Sequence, residues 1–338
     1  MESYLRNAWY VAAWEEELAD DALLARTLLG VPRVLYRRRE RHGHVLLEDR
    51  CPHRFAPLSL GTRCGDAIEC AYHGLRFDPQ GLCVHNPQGG PPPARARIES
   101  LPVTARHGLV WFWPGDPARA DPALIPDFSL MDQGVRRRCS HFRAHYELLA
   151  DNLMDLSHVD FLHRRTFNTA GTHGESRHEV HGGAGETLWN TWLIPRVRRF
   201  PVLEPHFAPD EPIDQWTEMR WDPPASMILR LSWAPAGGDA SAARLSMANP
   251  HIITPETESS SHYFWTCEDN DQAEAFARTV FDSEDKPMIE AVQSRMGSAG
   301  FWESAPLVLK GDTGAIRARR RLQRLRRLEA ADSAAKAR

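Results

Sequence analysis

Cysteine is scarce, with six in 338 residues, too few to knit a disulfide scaffold. Charge of one sign is scarce too: 41 Lys and Arg stand against 45 Asp and Glu, a net of −4. That balance leaves no broad field to gather nucleic acid. Long apolar runs are missing, and the strongest, Leu109 to Trp113, falls far short of a bilayer span. The opening MESYLRNAWYVAAWEEELAD has no basic segment followed by an apolar one. The expectation is a cytoplasmic protein with neither membrane nor nucleic acid as partner. Also absent are a G-x-G-x-x-G dinucleotide fingerprint and the plant-type run of closely spaced cysteines, so any redox chemistry here draws its electrons from another protein.

With 42% hydrophobic and 25% charged residues the chain has ordinary globular composition, and its length suits two domains. Residues 1–115 read as short strands: Trp9 to Ala13, Arg33 to Tyr36, His44 to Glu48, Leu75 to Phe77, Leu82 to His85 and Leu109 to Trp113. Asp78-Pro79-Gln80-Gly81 predicts a tight hairpin, because Pro presets φ and Gly supplies the left-handed position. Residues 116–126 are Pro-rich without apolar periodicity and are expected to be a linker. The remainder, 127–338, predicts a strand at His141 to Tyr146, several alternating segments, a helical stretch from Asp271 to about Met296, and a basic helix from Thr313 to Ala331. An antiparallel sheet with segregated helices is α+β.

Two stretches carry chemistry. In Glu147 to His163, Leu149, Leu153, Leu156 and Val159 recur at helical steps, with Asn152, Asp155, His158 and His163 among them. Two neutral imidazoles and one later carboxylate would leave positions open on a divalent iron. Nearer the N-terminus stand Cys51-Pro-His53 and Cys70-Ala-Tyr-His73-Gly74. Two thiolates and two imidazoles on paired loops suit tetrahedral zinc, or a [2Fe–2S] cluster with two His on one iron.

Cys-Pro-His-Arg with Cys-x-Tyr-His-Gly resembles the oxygenase branch of the Rieske proteins. Asp-Asn-Leu-Met-Asp-Leu-Ser-His-Val-Asp-Phe-Leu-His, at 151–163, resembles the mononuclear iron motif of Rieske non-haem iron oxygenases. Asn7-Ala-Trp-Tyr-Val-Ala and Thr254-Pro-Glu-Thr-Glu are similar to the branch containing vanillate O-demethylase and dicamba monooxygenase. The resemblance implies an all-β Rieske domain, then a helix-grip (START-like) catalytic domain with an antiparallel sheet and long helices. It implies Cys51, His53, Cys70 and His73 on the [2Fe–2S] cluster, and His158, His163 and a late carboxylate on Fe(II). Asp285 is preferred there over Asp282 or Glu284. Asp155 matches a bridging carboxylate that bonds a neighbouring subunit's Rieske His, which implies a homotrimer, and Asn152 a nearby polar group.

The implied reaction takes O2, electrons from a separate NAD(P)H-dependent reductase of flavin or ferredoxin type, and a small aromatic substrate, expected to be an acid, that is monooxygenated or O-demethylated. Alternatives are ring cis-dihydroxylation, N-demethylation, or an electron carrier without a working second iron. His251, Phe276 and Arg230 are the candidate substrate contacts. The Arg-rich final helix is expected to present a solvated basic face; the alternative is that it docks an acidic redox partner or a membrane.

Overall fold

Segments rich in Val, Leu and aromatics pair as short antiparallel strands at the N-terminal end, as alternating patterns do when one face is buried. The computed structural model describes residues 4–39, 42–166 and 172–336. Its first compact unit comprises Met1–Ser129, Thr254–Glu258 and Glu329–Arg338. Tyr10–Trp14, Leu109–Phe112 and Val103–Arg106 form one sheet, in that order. Leu24–Leu28, Val31–Arg37, His44–Glu48 and Ser100–Leu101 form a second. The third contains Thr62–Cys64, Ala67–Glu69, Arg76–Phe77 and Cys83–His85. The expected hairpin closes with Gly81 N–H donating to Asp78 O at 2.9 Å. Val34, Tyr36, Leu47, Leu58, Ile68 and Phe77 pack into one core, and Cys51 and Cys70 belong to it.

Residues 116–126, expected as a linker, cluster with this unit, and the change to the second comes after Ser129. Asp116 and Asp121 cap single turns that begin with Pro117 and Pro122. Pro at the first position and a capping carboxylate give definite structure to a stretch that has no apolar period. Residues 329–338 also cluster here rather than with the catalytic part, because Glu329 accepts the N–H groups of Arg6 and Asn7 at 2.8 and 2.6 Å.

The second unit, Leu130–Ile253 with Ser259–Leu328, is built on a seven-stranded antiparallel sheet. Its order is Val135–Phe142, Ser260–Glu268, Leu245–Thr257, Ser226–Pro235, Ile213–Asp222, Leu188–Val197, Arg177–Gly182. The first of these was expected later, at 141–146. Helices α1 (Tyr146–Met154), α2 (Val159–Leu162), α3 (Asp271–Arg278), α4 (Lys286–Met296) and α5 (Thr313–Lys336) accompany it. The single helix expected over 147–163 is broken at Asp155, whose φ of −121° and ψ of 99° are extended. Between α3 and α4, Thr279–Asp285 is a π-helix.

α5 approaches the sheet so closely that a Cβ on Gly314 would sit 2.2 Å from Asn190 Nδ2. Its basic face is partly internal. Buried Arg319 donates to Asp151 and, at 2.6 Å, to Glu147, and Arg326 donates to Glu147 at 2.6 Å. The expectation of a solvated basic face is therefore corrected in part: Glu147, buried on α1, and Asp151, partly buried there, draw cations of that face inward. No helix among the described residues is long and apolar enough to cross a membrane.

Candidate metal centres

The two cysteine loops have the same main-chain plan. Cys51 N–H donates to Ala56 O at 2.9 Å and Phe55 N–H to Cys51 O at 2.8 Å; Cys70 N–H donates to Leu75 O at 2.8 Å and Gly74 N–H to Cys70 O at 2.9 Å. In each loop the fifth residue is left-handed, with φ of 62° at Phe55 and 74° at Gly74. Glycine adopts that region without cost. Phe55 cannot, and its exposed ring carries the Arg50 guanidinium 4.1 Å above its centre.

This geometry sinks both thiols and lifts both imidazoles. Cys51 and Cys70 are each 2% exposed, whereas His53 is exposed and its ring centre lies 4.5 Å from that of His73. Burial pushes the Cys51 thiol up against the pull of main-chain N–H groups of His53 and Arg54, and the neighbouring Cys70 sulfur adds to the rise. Two buried sulfurs so placed are ill at ease as thiolates unless a cation joins them, which fits an iron–sulfur cluster.

The second centre is assembled from the break after α1 and the π-helix. Asp155 leaves helical conformation, its carboxylate accepts Ser157 N–H at 2.9 Å, and its carbonyl lies 2.6 Å from His158 Nδ1. His163 Nδ1 lies 2.7 Å from Glu284 Oε2, which also accepts Thr166 Oγ1 at 2.8 Å. With their Nδ1 atoms so engaged, both rings turn Nε2 toward Asp285 Oδ1, at 3.7 and 3.2 Å. Asn152 Nδ2 donates to the same oxygen at 3.2 Å. One ligand atom from each of His158, His163 and Asp285 lies within 4.8 Å of the others.

The three acidic candidates on the π-helix take different partners. Asp282 accepts Ser140 Oγ at 2.7 Å, Glu284 holds His163, and Asp285 alone faces both imidazoles. Burial outweighs the pull of Asp285 and lowers His158. At His163 burial also lowers, but Asp285 and Glu284 together win and raise it. An excess of carboxylate around two convergent ring nitrogens is a cavity charged for a cation, and three ligands on one side suit non-haem iron.

Of the remaining candidates, His251 is fully buried on the strand Leu245–Thr257. Its Nδ1 is 2.6 Å from Tyr263 Oη, and Phe281 of the π-helix packs edge-on to it at 5.4 Å. Arg230 stands apart from His251. It pairs with Ala248 while His251 pairs with Met227, and since successive residues alternate faces, Arg230 points from the opposite side of the sheet. There it is exposed, its guanidinium over Trp189 at 5.5 Å. Phe276 is half-buried on α3, five residues before Phe281. Sequence reasoning missed Glu284 as the partner of His163, as well as Tyr263 and Phe281. The only signal for the last two was their aromatic character, Tyr263 among the alternating segments and Phe281 in the helical stretch from Asp271.

A model of the Rieske [2Fe-2S] domain matches residues 8–102, and one of the vanillate O-demethylase oxygenase C-terminal domain matches 142–328. The oxygenase component of dicamba O-demethylase from Stenotrophomonas maltophilia is 38% identical, over 97% of this chain and all of that one. The oxygenase component of chloroacetanilide N-alkylformylase from Rhizorhabdus wittichii is 36% identical, over 95% of each. The crystal structure of dicamba monooxygenase bound to dicamba superposes with a TM-score of 0.85 at 36% identity, covering 97% of this chain and 99% of that one. Dicamba monooxygenase has also been crystallised with non-haem iron, the metal that the second ligand set suits. The twin cysteine loops, the carboxylate-rich second site and the match along almost the whole length agree: the chain belongs to the vanillate O-demethylase family of Rieske non-haem iron oxygenases.

Proposed function

We propose that this chain is the terminal oxygenase of a system that removes a methyl or related substituent from a small aromatic compound, in the cytoplasm. The convergence of His158, His163 and Asp285 in the same polypeptide as the Rieske loops carries this reading. An electron carrier needs no second centre. The chain has no nucleotide fingerprint, so electrons come from a separate NAD(P)H-dependent reductase of flavin or ferredoxin type. Cys51, Cys70, His53 and His73 hold the cluster, and His158, His163 and Asp285 hold iron. Bound there, iron supplies dioxygen activation, fed by the cluster one electron at a time.

The protein's own groups prepare that site. Glu284 and the Asp155 carbonyl fix the two imidazoles with Nε2 inward, and Asn152 steadies the Asp285 carboxylate. Tyr263 and Trp265, both buried, pack edge-on against Phe281 as a wall of rings. The relatives' names, an O-demethylase and an N-alkylformylase, point to loss of a carbon substituent from a heteroatom; an aromatic acid is the first class to try.

We also propose a homotrimer in which the Rieske tip of one copy feeds the iron of the next, through Asp155. Two features support it: Phe55 and Tyr72 stand 62% and 61% exposed beside the Rieske imidazoles, and Leu307 and Leu309 stand 85% and 64% exposed just before a turn that lies against Asp155. Apolar surfaces of this kind mark contact sites. Elemental analysis of reconstituted protein tests the core of the reading: about three irons and two acid-labile sulfides per chain are expected, with formaldehyde released from a methoxylated benzoate. Two irons at full occupancy and no turnover would return the chain to the carrier class.

A further inference from the structure

The seven-stranded sheet ends in the edge strand Arg177–Gly182, which carries an imidazole that no step of the proposed reaction uses. His178, half-buried there, lies flat on Trp192, its partner on the next strand, with ring planes 1° apart and centres 4.5 Å apart. From that position its Nε2 lies 2.5 Å from Asn190 Oδ1. Asn190 is 0% exposed, and its Nδ2 donates to the carbonyl of Met154, the last residue of α1.

The proton positions follow from these partners. A main-chain carbonyl only accepts, so the amide turns Nδ2 toward Met154 and Oδ1 toward His178, and His178 carries a proton on Nε2. Each bond meets a need. Met154 is itself fully buried, and the last carbonyls of a helix have no partner within it. Asn190 supplies that missing donor, and His178 supplies one to the buried amide oxygen. On a further side α5 comes so close that a Cβ on Gly314 would fall 2.6 Å from Asn190 Cγ, which leaves the amide no room to swing away.

What the pair holds is the peptide between Met154 and Asp155. That peptide opens the break after α1: Asp155 leaves the helix with φ of −121° and ψ of 99°, and its own carbonyl then meets His158 Nδ1 at 2.6 Å. Were the Met154 carbonyl to turn, Asp155 would turn with it, and the His158 ring would lose the acceptor that aims its Nε2. We propose that His178 and Asn190 are positioning residues for His158: two strands of the sheet hold the helix break in the shape that a metal-binding imidazole needs. They act through the main chain, not by contact with the metal. The inference rests on the reading of His158 as an iron ligand.

Anaerobic titration of the second site with Fe(II), by chelator competition on full-length protein that keeps its Rieske cluster, tests this. His178→Phe retains a ring over Trp192 and removes the donor, whereas His178→Gln sets an amide N–H where Nε2 stood. The Phe variant is expected to bind Fe(II) about tenfold more weakly and the Gln variant nearly as the parent does, with the cluster's absorption unchanged in both. His178→Met, apolar and without an N–H, repeats the test should the Phe variant fold poorly. Trp192→Phe is the control for stability alone: it trims the same stack, leaves the bond between His178 and Asn190 in place, and should lower the denaturant midpoint while keeping Fe(II) affinity. An unchanged affinity in the donorless variants would overturn the proposal, as would an equal loss in Trp192→Phe, the mark of a merely structural role. If His158→Ala binds Fe(II) as tightly as the parent, it is the ligand reading that fails.

Discussion

Glu284 stands next to Asp285 in sequence, and their side chains do opposite work. Asp285 faces the space where a cation fits, while Glu284 reaches the far nitrogen of His163 and is steadied by Thr166. A carboxylate behind a ligand imidazole raises its basicity and fixes its orientation. Glu284→Ala is therefore expected to weaken Fe(II) binding about 10- to 100-fold, read by titrating metal-free protein. Glu284→Gln keeps an acceptor and should fall between. An unchanged affinity would reduce Glu284 to a bystander. His251 makes a second prediction, on stability. Its folded value of about 4 lies below the ordinary 6.5, so the unfolded chain takes up the proton first. The stability tied to its neutral form is complete above about pH 6.5 and drains away as pH falls toward 4. Denaturant titrations across that window should show a shallower loss for His251→Phe. The candidate ligand residues stood out in the sequence because two Cys–His pairs and a helical His pair are rare as patterns. The choice among Asp282, Glu284 and Asp285 was not, since spacing alone cannot say which way each carboxylate points on a widened helical turn.

The π-helix bears on that choice. Over Thr279–Asp285 each turn takes in more residues than an α-helix, so successive side chains shift around the axis and Asp285 arrives opposite the two imidazoles. A sequence reads as helix whichever of the two forms it takes, because the local propensities are the same. The break at Asp155 was hidden for a similar reason: Leu149, Leu153 and Leu156 keep their three- and four-residue steps while the backbone between them turns extended. α5 offers the element-scale test. Arg319 is 7% exposed and bridges Glu147 and Asp151 on α1, the helix that also carries Asn152. Arg319→Ala strands the buried Glu147 and the partly buried Asp151 carboxylates and is expected to cost about 3 kcal/mol, measured by denaturant unfolding. Arg319→Lys should recover only part, because a single ammonium cannot span both partners.

For the whole molecule, the question is whether one chain suffices. If electrons cross between copies, chains with Cys51→Ser and chains with His158→Ala, each inactive alone, should regain turnover when refolded together and not when merely mixed after assembly. Failure to complement in co-refolded, metal-replete material would confine electron flow to a single polypeptide. The α+β class and the order of the two parts were legible from composition and motif order. The seam after Ser129 was not, because capped Pro turns look like a linker until their hydrogen bonds are seen. One last property follows from the matched turns at Cys51 and Cys70. Each is latched by two main-chain bonds of its own, so the spacing of the two cysteines and two histidines is set by the backbone. Outward-facing neighbours such as Arg54 can then change charge to suit one redox partner or another while that spacing stays the same.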